Sequence, residues 1–254
     1  VGGMPEAVES FRLRGDFAAV RSIQKSILAG YEGDFSKHIS GALSERCRLV
    51  WDSLPHQLAK ENKRFVYGAV REGARAREFE EAIQVLVDSG LVLKVPRISK
   101  PGLPLAAYSD PQASKLYLLD VGLLGALTGL DSSTILEGSS LFTEFKGVMA
   151  EQYVCQQLVS ECELVPYYWS AEKSSGEVDF VVQLQTNVLP IEVKAETNLK
   201  AKSLRSFCER YGIDTAVRLS LAGLQDQGWV RNIPLYAVPL IEPSPAQPPA
   251  LHTA

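Results

Sequence analysis

The sequence predicts an α+β protein with an α/β core, in which a helical first half in winged helix-turn-helix order precedes a second half ordered α, β, β, β, α, β. Three observations predict it. Apolar residues recur at three- and four-residue spacing through most of the first 90 positions. A pair of strand-like runs then brackets a proline-rich loop between residues 91 and 120, which is the ribbon of a wing. From residue 163 onward, period-two runs rich in Val, Ile and aromatics alternate with turn residues and one further helix.

The first forty residues read as helical. Phe17, Val20, Ile23, Ile27 and Tyr31 form one stripe after Gly15-Asp16, and Gly30 and Gly33 are expected to stop it. A second helix is predicted from Leu43 to Leu54, ending before Pro55. In "AREFEEAIQVLVDSG", Phe79, Ala82, Ile83, Leu86 and Val87 share one face, and Gly90 supplies a C-cap. "LVLKVPRI" and residues 114–120, "SKLYLLD", are the two ribbon strands. The domain division that follows is a helical segment over 1–40 and a winged helix-like domain over 41–130.

A polar stretch, "TGLDSSTILEGSS", reads as a linker, and the second domain is placed at 140–241. Its helix, "FKGVMAEQYVCQQLVSE", carries Val148, Tyr153, Val154, Leu158 and Val159 at helical spacing. Strands follow at 163–170, 177–184 and 188–195, then a helix over 198–212, a strand over 214–221 and a last strand candidate over 229–241. Residues 242–254, rich in proline, are expected to be a disordered tail.

Composition narrows the function classes. At 254 residues and 46% hydrophobic content the chain has ample core, and no run approaches the roughly 18 to 20 apolar residues of a membrane span. The first residues lack a basic start and an apolar signal core, so a cytoplasmic protein without a membrane partner is expected. Net charge of −4 argues against a dedicated DNA-coating protein, though a local basic face is compatible with it. Cys47, Cys155, Cys162 and Cys208 have no CxxC spacing and read as buried free thiols, with Cys155 and Cys162 on one helix face. His38, His56 and His252 have no ligand spacing, and no nucleophile motif such as G-x-S-x-G occurs.

The chemistry concentrates in "GEVDFVVQLQTNVLPIEVKAE", Gly176 to Glu196. Alternation turns Val178, Phe180, Val182 and Leu184 to one face and Glu177 and Asp179 to the other. Folding the hairpin about Gln185 to Asn187 brings Asp179 beside Glu192, with Lys194 roughly 7 Å further along the strand. Paired carboxylates are the ligands Mg²⁺ or Mn²⁺ prefers, at about 2.1 Å. A metal so held could polarise a phosphodiester while the lysine orients the attacking water. A third acid is available on the preceding helix, where Glu144 and Glu151 share a face; Glu151, mid-helix and beside the apolar stripe, is preferred. The competing reading is a solvated sheet face with a cross-face ion pair of small energy.

Residues 60–77 hold six cations (Lys60, Lys63, Arg64, Arg71, Arg75, Arg77) against two acids. Phosphate contacts by Lys63, Arg64, Arg71, Arg75 and Arg77 are one reading. The other is an interdomain or protein-docking role, because Glu78, Glu80, Glu81 and Asp88 on the next helix would repel a phosphate backbone.

"GEVDF" and "IEVKA", with Glu151 upstream, resemble the PD-(D/E)XK nuclease superfamily, Asp179 matching the motif aspartate and Glu192 and Lys194 the (D/E)XK pair; Val178 stands where the motif name has proline. With "GGMPEAV", "KRFVYGAVREGARAREFEEAIQVLVDSGLV" and "KLYLLDVGLL", the chain from about Gly2 to Leu240 resembles the C-terminal region of prokaryotic AAA-type ATPases. That resemblance implies a restriction-endonuclease-like second domain, Glu151, Asp179, Glu192 and Lys194 as catalytic residues, the three acids as ligands of Mg²⁺ or Mn²⁺, and DNA as partner. It implies ATP binding for the parent protein and its ATPase module as a partner, with residues 1–35 a remnant of the helical lid. No G-x-x-x-x-G-K-[ST] occurs, so no nucleotide site or ATPase activity is expected in this chain. Two functions follow: Mg²⁺-dependent DNA phosphodiester hydrolysis or DNA binding, or a non-catalytic module that recognises a protein or nucleic-acid partner for the attached ATPase.

Overall fold

A computed structural model describes residues 1–60, 63–131, 134, 142–171, 176–197 and 201–241, excluding the side chains of residues 143 and 144. Most of the predicted linker, the start of the helix predicted from 198, the Pro-rich tail with His252, and the side chain of Glu144 lie outside the described residues. Among those described, no helix is long and apolar enough to cross a membrane.

The protein is mixed α+β. Helices α1 (Pro5–Arg14), α2 (Phe17–His38), α3 (Gly41–Leu58) and α4 (Ala76–Asp88) precede the ribbon of β1 (Val92–Ile98) and β2 (Ser109–Leu118). After α5 (Val121–Leu127) come α6 (Thr143–Ser160), β3 (Tyr167–Ser170), β4 (Glu177–Leu184), β5 (Asn187–Val193), α7 (Lys202–Tyr211), β6 (Ala216–Ser220), β7 (Gln225–Asp226) and β8 (Val230–Pro234).

Two predicted helix stops fail because packing overrides them. Helix α2 runs through Gly30 and Gly33 to His38, since Phe35, one turn further, is buried with its ring 6.0 Å from that of Trp51. A helical glycine costs only about 1 kcal/mol, less than burying a phenylalanine gains. Helix α3 likewise continues past Pro55 to Leu58, because Leu54 and Leu58 are both core residues. The strand predicted from 114 begins at Ser109 and passes through Pro111, as an edge strand can. The strands expected over 163–170 and 229–241 are shorter, and residues 235–241 form 3-10 turns. Cys162 falls just beyond α6 rather than on its face.

Among the described residues, the eight strands form one sheet in the order β2-β1-β3-β4-β5-β6-β8-β7. The ribbon joins the second half through a short parallel pairing of Arg97 and Ile98 with Tyr168 and Trp169. Strands β5, β6 and β8 are also mutually parallel, and the pairs β1–β2, β3–β4, β4–β5 and β7–β8 are antiparallel. One core cluster carries Val148, Val154 and Leu158 of α6 with Phe180, Val182, Ile191 and the N-terminal helices; a second carries Leu204, Phe207 and Cys208 of α7 with Val178 and Val181. The predicted alternation therefore breaks inside β4, where Val178 and Phe180 belong to different clusters. Tyr167 pairs with Val181 but Trp169 pairs with Val178, so three residues of β4 advance against two of β3, a bulge that re-aims the residues between them.

Candidate functional site

The site is built where α6 meets the ends of β2, β4 and β5. Gln152 of α6 clamps the backbone of Leu118, accepting from its N–H at 3.0 Å and donating to its carbonyl at 2.6 Å. Gln156, one turn on, bonds Val121 N–H and the Asp120 carboxylate. Asp120 in turn caps α5 and accepts from Gly3 N–H at 2.6 Å. A side chain at Gly2, whose φ is +79°, would drive a Cβ to 2.4 Å from Asp120 Oδ1. These bonds fix α6 against β2 and deliver Glu151 beside Lys115 and Tyr117.

Asp179 and Glu192 meet as the hairpin register dictates. Phe180 pairs with Ile191, which sets Asp179 across from Glu192, and the Asp179 Oδ2 accepts from Val193 N–H at 2.7 Å. Lys194 folds back along its strand, so that its Nζ lies 2.5 Å from Glu192 Oε1. The four residues singled out by motif therefore share one locality, although each is already engaged.

Sequence reasoning missed Lys115, Glu177 and Tyr117 as members of the site and placed Lys63 elsewhere. Lys115 is completely buried, with Nζ 2.5 Å from Glu177 Oε1, 4.0 Å from Glu151 Oε2 and 5.0 Å above the Tyr168 ring. Lys63 Nζ bonds Glu151 Oε1 at 2.6 Å, and the Tyr117 hydroxyl donates to Glu151 Oε2 at 3.2 Å. Lys63 arrives there because its neighbours add to the free edge of β2: Arg64 bridges Lys115, and Phe65 N–H donates to Ser114 carbonyl at 2.8 Å. The available signal was a lysine inside an apolar run, "KLYLL", of the same kind as the glutamate inside "PIEV".

Beyond Glu192 the polar row continues across the sheet, since Glu192 pairs with Arg218 and Arg218 with Asn232. Arg218 is buried, and its guanidinium bonds Asn232 Oδ1 and Gln227 Oε1.

Electrostatics divides the carboxyl groups. Burial first, then the negative charges of Glu151 and Glu192, hold Asp179 well above the ordinary carboxylate range. Burial also raises Glu192, against the pull of Lys194. Burial opposes ionisation of Glu151 as well, but Lys115 and Lys63 outweigh it and leave this carboxyl below its usual value. Lys115 stays above the ordinary lysine range despite its burial, because Glu151, Glu177 and Asp179 surround it.

A divalent ion fits this donor set poorly. Both Glu151 oxygens are engaged, one by Lys63 and one by Tyr117, and Glu192 Oε1 is held by Lys194. Among the described residues, no group of three or more His, Cys, Asp or Glu side chains is arranged to hold a metal. Four carboxylates (Glu151, Glu177, Asp179, Glu192) face three ammonium groups (Lys63, Lys115, Lys194), and two lysines carry the charge of one Mg²⁺.

The remaining cations lie apart from this cluster. Arg64, Arg71, Arg75 and Arg77 are exposed; Arg64 bonds Gln112 carbonyl, and Arg71 pairs with Glu78 at 3.3 Å. His38 ends α2, and His56 lies exposed on α3. Trp169, of the aromatic run "PYYW", packs on Phe207 and Tyr211 inside the second core.

Residues 1–134 match a family model described as a domain of unknown function (DUF8612), and residues 146–238 match another described as a domain of unknown function (DUF4143). No curated protein and no solved structure matches the chain.

Proposed function

For a chain that belongs to the DUF8612 family over its first 134 residues, we propose a non-catalytic recognition module built on a nuclease-like scaffold and serving an attached AAA-type ATPase in the cytoplasm. The buried ammonium of Lys115 carries this reading, because with Lys63 it neutralises the carboxylates that hydrolysis would need for a metal. The element order α6-β3-β4-β5-α7-β6 and the acids at 151, 179 and 192 support descent from the PD-(D/E)XK fold. Helices α3 and α4 followed by the β1–β2 ribbon support a winged helix-like first domain over 41–130. DUF4143, found in AAA-ATPase-associated contexts, supports the ATPase as the partner in cis. The exposed Arg64, Arg71, Arg75 and Arg77 are the surface offered to a nucleic acid or an acidic protein.

One observation favours a second reading, Mg²⁺- or Mn²⁺-dependent DNA cleavage. Asp179 and Glu192 hold their protons more tightly than usual, burial being the larger cause and neighbouring acids adding to it, as in sites that gain from an added cation. Incubating the chain with plasmid DNA and millimolar Mg²⁺ or Mn²⁺, beside Lys194→Ala, separates the two. The recognition reading expects no cleavage by either protein. Cleavage by the parent that disappears in Lys194→Ala overturns it.

A further inference from the structure

We infer that residues 1–14 are a strap that opens and closes over α5 as a unit, and that Gly2 and Gly122, with Asp120 and Gln24, form the catch that holds it shut and passes its state to α6. The inference stands apart from the proposed recognition role and gives a use to the glycine pair of "GGMPEAV", which that role leaves idle. The catch is built from both sides. On the fixed side Asp120 and Gln24 are each 2% exposed and read the main chain of the strap. Asp120 Oδ2 accepts from Gly3 N–H at 2.6 Å, and Gln24 Nε2 donates to the Val1 carbonyl at 2.5 Å. Between these two bonds Gly2, with φ +79°, presses on Gly122: a Cβ at Gly2 would stand 2.8 Å from Gly122 Cα, and a Cβ at Gly122 2.3 Å from the Val1 carbonyl oxygen. Neither position admits a side chain while the strap is closed.

The fixed side keeps its shape without the strap, because Asp120 also accepts from Leu123 N–H and Gln156, and Gln24 Oε1 accepts from Arg21. The rest of the strap is lightly held. Within α1 only Ala7 is buried and the helix has no side-chain cap, while Met4 packs partly against the core and Phe11 rests on Phe17 at 4.7 Å. Ten residues fall below the roughly 12 to 15 at which isolated helices become even marginal in water, so α1 survives by being held down. Elements with few buried apolar contacts open locally at free energies well below that of global unfolding. Opening withdraws Gly3 N–H from the carboxylate that also binds Gln156, and Gln156 Oε1 in turn holds Val121 N–H, so the state of the strap reaches α6 through Asp120.

The test is amide hydrogen exchange on the parent chain, Gly2→Val, Gly122→Ala and the control Gly212→Ala. Gly212, with φ +64° and open space around its Cβ position, follows α7 in the second core cluster and carries comparable backbone strain away from the catch. The α1 amides are expected to exchange about 10-fold faster or more in Gly2→Val and Gly122→Ala, and Val121 N–H about 3-fold faster or more. Amides of α4 and β6 should stay within about 2-fold of the parent, and Gly212→Ala should leave α1 unchanged. Exchange of α1 at the parent's rate in Gly2→Val overturns the inference, as does equal acceleration of α4 and β6 or an equal effect of Gly212→Ala on α1. Val121 exchanging at the parent's rate overturns the transmission to α6. If Gly122→Ala does not fold, Gly2→Val, whose change lies on the strap itself, decides alone, and an unfolded Gly2→Val overturns the strap as a separable unit.

Discussion

Replacing Glu151 by glutamine tests whether the ion-paired cluster holds the two halves of the chain together. Glu151 sits on α6, while its partners Lys63, Lys115 and Tyr117 belong to the first half, so one carboxylate links elements 34 to 88 residues apart. Glutamine keeps the shape and one acceptor for Tyr117 but removes the charge facing two ammonium groups, one of them completely buried. Breaking a buried pair by removing one partner costs about 3–5 kcal/mol. Lys115 retains Glu177 at 2.5 Å and Lys63 is partly solvated, which places the cost near the lower end, about 3 kcal/mol. For a chain of this size that corresponds to a fall in Tm of about 6 °C, readable by thermal circular dichroism at pH 7. The pH dependence is also fixed in sign. Glu151 has a lowered folded pKa, so its contribution is present above the ordinary carboxylate value and is lost as pH falls through the lower folded one. The gap between parent and Glu151→Gln should therefore hold from neutral pH to about pH 4 and close only in stronger acid. A Glu151→Gln protein that melts within 1 °C of the parent, roughly half a kcal/mol on the same scale, would refute the interlock.

Asp179→Asn should act in the opposite direction. Its raised folded pKa means that the ionised carboxyl opposes folding above that value, so asparagine, which can still accept from Val193 N–H, should stabilise the chain by on the order of 1 kcal/mol at pH 7. That gain should vanish below about pH 4, where the aspartate is protonated in both states; urea titrations at pH 7 and pH 3.5 that show no difference in gain would contradict it. Thiol reactivity gives an independent check on burial. Burial pushes Cys47 and Cys208 up to about 11 and raises Cys155 further, so an aromatic disulfide reagent at pH 8 should label at most Cys162 rapidly in the native chain and all four thiols once unfolded.

Much of the fold was legible because local patterning and tertiary role agree. Strand β4 occupies residues 177–184, the bounds read from its run of strand-forming residues, and α4 ends at Asp88 before Ser89 and the left-handed Gly90 because its apolar stripe ends there. The misplaced boundaries, at Gly33 and Pro55, are places where a weak local preference meets a strong distant contact, Phe35 on Trp51 in one case and buried Leu54 and Leu58 in the other. Nothing local encodes the pairing of Arg97 with Tyr168 that joins the ribbon to the second half, because parallel strands so far apart share no turn. The bulge in β4 is equally silent in sequence, yet it decides which way Val178 and Phe180 face.

The candidate site was half legible for a related reason. Charge read along the chain assigns Lys63 to a basic stretch and Lys115 to a ribbon strand, whereas charge read in space assigns both to the acids of the second half. The difference matters because cations of equal charge are not equal in chemistry. A metal ion draws six oxygens to about 2.1 Å and can polarise one that it holds. An ammonium accepts carboxylates at 2.5 to 4.0 Å, tolerates their splay and offers only hydrogen bonds. A cluster closed by lysine therefore keeps its structural value with no metal present and gives up Lewis acidity. That exchange is what the proposed recognition role requires, and Lys115 is the residue on which it turns.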